Sequence, residues 1–213
     1  MKSTIEYWRD RISKGGFDSV SVAGNFEKRT DDEINFLSFN ISRVFENKVD
    51  ISIDFGAGWG RLLQVMKSTS NRQVLVDFVD ENKRMFESLG LSDNFCKFVV
   101  SPIADFTTSE LADYAMTSFS LLHIIDDDEY IRSVRNIIRS VKHNGYLFIY
   151  ESYNEEGELA SHCSDRKRDK FLYPFMDYGA IKEREINWKS KYQPYETDFR
   201  QPIKLFIFRR GLE

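Results

Sequence analysis

Cysteine is scarce: Cys96 and Cys163 are the only two among 213 residues. Two thiols so far apart in the chain exclude a disulfide framework and a zinc knuckle, and no metal is expected. Surplus positive charge is also lacking. Thirty Lys and Arg stand against 34 Asp and Glu, a net charge of −4. The chain therefore has no basic footprint, and neither nucleic acid nor an anionic membrane is expected as a partner. No apolar run approaches the roughly 20 residues of a membrane span. The segment Met1 to Trp8 lacks the apolar core of a signal peptide, so a cytoplasmic location is expected. No repeat, low-complexity stretch or linker divides the chain.

What is present is ordinary for a globular protein: 41% hydrophobic and 30% charged residues. The unusual item is 18 Phe with 10 Tyr, which suits a filled core and aromatic-lined pockets. The length supports one α/β domain over residues 1–213. Its expected parts are an N-terminal helical segment (1–47), a core (49–151), and a C-terminal segment ending in a hairpin (152–213).

The most informative stretch is Val49 to Arg61. Ile51, Ile53 and Phe55 alternate with Ser52 and Asp54, as in a β-strand. Gly56, Ala57, Gly58, Trp59 and Gly60 follow, and Arg61 to Lys67 suits a helix. Strand, Gly-rich turn and helix make the first half of a βαβ unit. Such a turn lets a ligand approach the backbone, with helical N–H groups facing it. A dinucleotide fingerprint would put its third Gly at position 61, which is Arg61, and the Gly-Lys-Ser/Thr of a phosphate loop is missing.

The pattern acid-x-Gly-x-Gly-x-Gly-Arg resembles the first motif of class I S-adenosylmethionine-dependent methyltransferases. The resemblance implies S-adenosyl-L-methionine as cofactor, held at Asp54, Gly56, Ala57, Gly58, Gly60 and Arg61. An acid suits the ammonium of that ligand and Arg61 its carboxylate.

Further signals follow in order. Gln73 to Asp80 reads as a buried parallel strand ending in an acid, about 20 residues past the Gly turn. Asp80, with Glu81 beside it, is placed for the ribose hydroxyls. Asp77 competes as a mid-strand acid, and Asp80 is preferred because Asp80…Asn82…Met85 resembles the family's acid-x-Ser-x-x-Met. Phe95–Val100 reads as a third strand. The resemblance lays the turn after it along the adenine, at Ile103 and Ala104, although Ser101 and Pro102 stand where the family often has an acid. Tyr114 to Ile125 reads as a fourth strand and its exit, with Ser118 and then Leu121-Leu122-His123 near the expected sulfonium. Asp126 to Glu129 reads as a helix N-terminus, and Tyr146 to Glu151 as a fifth strand. Residues 31–47 have helical spacing with an acidic start, and 185–195 and 203–210 look like two final strands.

The implied fold is a Rossmann-like, seven-stranded, mostly parallel sheet with helices on both faces and a C-terminal antiparallel hairpin. The implied reaction is methyl transfer to a small-molecule or saccharide acceptor; a protein or peptide acceptor, or cofactor binding without catalysis, are the alternatives. His123 is the candidate catalytic base, with a packed residue bonded to backbone as the favoured alternative, and Glu151 is placed to orient the imidazole or take the proton itself. Tyr7, Trp8, Trp59, His123 and Tyr153 are the candidate acceptor contacts. The opening Tyr7-Trp8…Gly15-Gly16 loosely resembles a lid segment of related enzymes, and packing of this arm on the sheet is the other reading.

Overall fold

The computed structural model describes residues 4–15, 26–153, 163–188 and 203–212. The chain order is α1 (Thr4–Gly15), α2 (Phe26–Ser42), β1 (Val49–Phe55), α3 (Leu63–Thr69), β2 (Ser70–Asp77), α4 (Asp80–Ser88), β3 (Cys96–Val100), β4 (Ala112–Ser118), α5 (Asp127–Arg139), β5 (Val141–Ser152), α6 (Arg168–Asp177), β6 (Ala180–Asn187) and β7 (Ile203–Arg210). One sheet runs β3-β2-β1-β4-β5-β7-β6. The pairings from β3 to β5 are parallel, and β7 is antiparallel to both β5 and β6. This is the expected seven-stranded sheet with its antiparallel closing hairpin.

Period-two alternation feeds two cores. Ile51, Ile53, Phe55, Leu147, Ile149, Phe206 and Phe208 pack on one face, beneath α5 and α6. Tyr114, Met116, Phe148, Tyr150, Leu205 and Ile207 pack on the other, beneath α2, α3 and α4. Phe171, Leu172 and Phe175 of α6 are buried in the first core, so the aromatic run there is mostly packing. Asp126 caps α5 by accepting from Glu129 N at 2.7 Å, the helix start expected for that acidic run.

Several boundaries differ from those expected. The acids at 31–33 do not open a helix, because α2 already begins at Phe26. β2 stops at Asp77, since Asp77 Oδ1 accepts from Val79 N and turns the chain into α4; Asp80 opens that helix and does not end the strand. β5 begins at Val141, so His143-Asn144-Gly145 lies in the strand, and α5 ends at Arg139. The penultimate strand is 180–187, with 189–195 lying outside the described residues.

Chain order reverses between β1 and β4, which pair in parallel at the centre of the sheet. Ligands of open α/β sheets bind at such a reversal, off the carboxyl ends of the strands. The Gly turn after β1 and the exit of β4 face each other there.

Candidate functional site

The turn after β1 is built for a close backbone. Gly56 has φ +74°, and a Cβ on it would lie 2.0 Å from Ser120 Oγ. Gly60 has φ +91° with Leu75 and Phe86 against it. Both the left-handed backbone and the lack of room require glycine. Gly56 N and Ala57 N bond to Val76 O at 2.8 and 3.1 Å. Gly58 N donates to Asp77 Oδ2 at 2.9 Å, while Asp77 Oδ1 accepts from Val79 N and from Asn82 Nδ2 at 3.1 Å. Burial pushes the Asp77 carboxyl above its ordinary value against these three bonds. Asp77 is therefore the end of its strand and the anchor of the Gly turn.

Asp80 lies on the rim, with its side chain 38% exposed. Arg9 Nη2 reaches Asp80 Oδ1 at 2.9 Å and Arg9 Nε reaches Glu81 Oε2 at 3.4 Å. Arg9, then Arg84, hold the Asp80 carboxyl below its usual range. Arg9 belongs to α1, whose Trp8 and Ile12 pack with Val79, flanked by Tyr7, Phe78 and Met85. The N-terminal helix thus sits over the β2–α4 junction.

Deeper in, Asp54, the penultimate residue of β1, is almost fully buried, and its Oδ1 has no hydrogen-bond partner among the described residues. Burial pushes this carboxyl up to about 7, opposed by the Arg61 guanidinium. Arg61 is bound through Nη1 to Glu33 Oε2, and its Nη2 lies 3.5 Å from Ser118 Oγ. A buried acid with one oxygen lacking a donor, near a guanidinium, fits a ligand that carries both an ammonium and a carboxylate. Across the cleft, Ile103 and Ala104 are half-buried in a short 3-10 turn. Asn136 of α5 holds that turn by donating to Ile103 O and Phe106 O, both at 2.6 Å.

The exit of β4 is strained and stapled. Phe119 has φ 52°, an uncommon conformation for a non-glycine residue. Glu151 is fully buried at the end of β5, and its Oε1 accepts from Ser120 N at 2.8 Å and Leu121 N at 3.0 Å. Burial raises Glu151 to about 7 despite those two bonds. One carboxylate oxygen is thus spent on backbone, while Oε2 is buried with no hydrogen-bond partner among the described residues. His123, 6% exposed, lies in the 3-10 turn of residues 121–123. Its ring meets Trp8 edge-on with centroids 4.8 Å apart, and its Nδ1 lies 3.8 Å from Cys163 Sγ.

The remaining acceptor candidates scatter. Tyr7 packs on Trp8 and accepts from Arg11 Nη1 at 2.8 Å, and Trp59 is half-buried in the Gly turn. Tyr153 is buried in the core against Phe171 and Phe206, with Lys204 Nζ 5.6 Å from its ring centre. His162 lies outside the described residues. Glu33, Asn136 and Cys163 were not picked out by the sequence motifs. Glu33 had a signal: it stands four and eight residues before Leu37 and Ile41, so an acid continues the apolar stripe of α2.

Residues 53–149 match the family model described as a methyltransferase domain. No curated protein matches the chain in sequence. Among solved structures, the N-methyltransferase NodS of Bradyrhizobium japonicum, in complex with S-adenosyl-L-homocysteine, superposes with a TM-score of 0.75. That match has 12% identity over 99% of this chain and 100% of NodS. A SAM-dependent methyltransferase of Leishmania major gives 0.78 at 17% identity, covering 96% of this chain and 81% of its own. The sugar N-methyltransferase KedS8 of a Streptoalloteichus species gives 0.67 at 13%, covering 86% and 88%. Residues 53–149, at the centre of this sheet, thus match a methyltransferase domain, and the fold around them is the one seen in these S-adenosylmethionine-dependent methyltransferases.

Proposed function

We propose that the protein moves a methyl group from S-adenosyl-L-methionine to a small-molecule or saccharide acceptor. The observation that carries this reading is the meeting of the Gly56–Gly60 turn, the Phe119–His123 exit and Trp8 of α1 over one strand reversal. A helix tied across the site by Trp8 and Arg9 suits a small acceptor better than a polymer. The NodS and KedS8 likenesses point the same way, one being an N-methyltransferase and the other a sugar N-methyltransferase.

In this reading Asp54 takes the ammonium of the cofactor and Arg61 its carboxylate. Asp80 and Glu81 take the ribose hydroxyls, Ile103 and Ala104 flank the adenine, and Ser118 lies near the sulfonium. The cofactor supplies an electrophilic methyl group whose bonding pair stays on sulfur when the bond to the acceptor forms. The protein's work is in-line positioning and, for an acceptor that must lose a proton, a base. His123 is that base, and Tyr7, Trp8 and Trp59 bound the acceptor. Glu151 acts on the β4 exit and not on the acceptor. Tyr153 supports the site from the core.

The test is a methyl-transfer assay with isotope-labelled cofactor against amino sugars, small amines and alcohols, and peptides with free N-termini. Label in an amino sugar or small acceptor is the expected result. Label confined to peptides overturns the acceptor class, and cofactor binding without turnover on any acceptor overturns the enzyme.

A further inference from the structure

Glu33 stands outside every motif, on α2, yet it is 0% exposed in a protein whose acids otherwise lie mostly at the surface. Its Oε2 receives Arg61 Nη1 and its Oε1 receives the Tyr150 hydroxyl at 3.2 Å. Tyr150 is itself fully buried in β5, with the Phe36 and Phe119 rings 6.0 and 5.1 Å away. Leu37 and Ile41, also fully buried, seat this face of α2 on the sheet. The carboxylate is thus held by a rigid helix, a rigid strand and a packed ring.

A carboxylate that deep is costly, and an apolar residue in its place often costs less. The partner it holds is the residue directly after the Gly turn, whose side chain keeps 17% exposure at the edge of the cleft. We propose that Glu33 is a positioning residue of the cofactor site, fixing the Arg61 guanidinium so that its remaining N–H donors face the carboxylate of the cofactor's amino-acid end. The inference rests on the reading of the cofactor given above.

Charge and geometry both support it. A guanidinium carries five donors in a planar fork; with Nη1 spent on Glu33 and Nη2 steadied near Ser118 Oγ, the fork cannot swing away. Asp54, with Oδ1 lacking a partner among the described residues, lies close enough to Arg61 to feel its charge. A zwitterion entering between Arg61 and Asp54 completes a row of alternating sign: Glu33, Arg61, ligand carboxylate, ligand ammonium, Asp54. Without Glu33, Arg61 would be drawn to Asp54 and would close the place the ammonium takes.

Calorimetric titration of the full chain with two probes tests this. S-Adenosylhomocysteine keeps the amino-acid end, and 5′-methylthioadenosine lacks it. Glu33→Gln keeps the shape and the hydrogen bond to Tyr150 while removing the charge. It should weaken S-adenosylhomocysteine by about tenfold or more, the scale of a lost charge-assisted bond, and leave methylthioadenosine unchanged. In an Arg61→Ala background the same change should add nothing, because Glu33 acts through Arg61. Equal weakening of both probes, with a lowered melting temperature, would mean that Glu33 only supports the fold. Unchanged or tighter S-adenosylhomocysteine binding would mean that Glu33 does not position Arg61 or competes for it. Either result overturns the proposal while the parent still binds both probes. A parent that binds neither probe overturns the cofactor reading, and this inference with it.

Discussion

Arg9 Nη2 lies 2.9 Å from Asp80 Oδ1, so the N-terminal helix is tied to the acid proposed to hold the ribose. The Arg9 and Asp80 side chains are 48% and 38% exposed, and an ion pair this wet contributes little to stability and is screened by salt. Its role is to set where α1 lies. Trp8 and Ile12, buried beside Val79, supply the adhesion.

The two acids of the β2–α4 junction should separate cleanly by mutation. Asp80→Ala should lower S-adenosylhomocysteine affinity about tenfold with little change in melting temperature, since the side chain is partly exposed and pairs with surface arginines. Asp77→Ala should lower the melting temperature, because Gly58 N, Val79 N and Asn82 Nδ2 lose a buried acceptor. Calorimetry and thermal melts on both variants decide it. A stable Asp77→Ala protein that alone loses affinity would move the ribose role to Asp77.

Glu151 makes stability depend on pH in an unusual direction. Burial raises its carboxyl from 4.5 in the unfolded chain to about 7 in the fold. Between these values the folded state holds the proton and the unfolded state has lost it, so stability falls as pH rises through that window and levels off above 7. Asp54, raised to about 7, adds a second slope of the same sign. The melting temperature should therefore be higher at pH 5 than at pH 7.5. Glu151→Gln removes one titration while its amide oxygen can still accept from Ser120 N and Leu121 N, so the variant should show a shallower slope. Parallel melting curves for parent and variant across this range would refute the assignment.

The parallel core was legible because its signals are local. Alternating Ile51, Ile53 and Phe55, a Gly turn of left-handed residues, and the acidic cap at Asp126 each declare themselves within a few positions. The boundary of β2 was not, because Asp77 ends the strand through bonds to Gly58, 19 residues earlier, and to Asn82, five residues later. The start of α2 was missed because the acids at 31–33 look like a cap, whereas Glu33 is buried for the sake of Arg61, 28 residues away. Glu151 reads as a candidate for chemistry because an acid at a strand end resembles a base. Its bonds to two backbone amides across the neighbouring strand exit have no sequence signature. Long-range polar pairing, not apolar patterning, is what the linear chain conceals here.

The last prediction concerns His123, whose Nδ1 faces Cys163 Sγ at 3.8 Å while the edge of its ring packs on Trp8. An imidazole fixed between α1 and the β4 exit sits, in the proposed reading, where the acceptor would approach, and a neutral imidazole can act as a base. Burial of the ring on Trp8 also means that removal creates a hole, so lost activity alone does not separate chemistry from packing. His123→Gln fills much of the space and keeps hydrogen-bonding capacity, yet cannot accept the proton at neutral pH. With an identified acceptor, the variant should turn over about 10²–10⁴-fold more slowly, while S-adenosylhomocysteine affinity holds. Parent turnover should rise with pH as the base loses its proton, and the variant should lose that acidic limb. Added imidazole should restore part of the rate in His123→Ala, where the space is open. A variant within a few-fold of the parent, with the acidic limb intact, would assign His123 to packing and leave positioning as the whole of the catalysis.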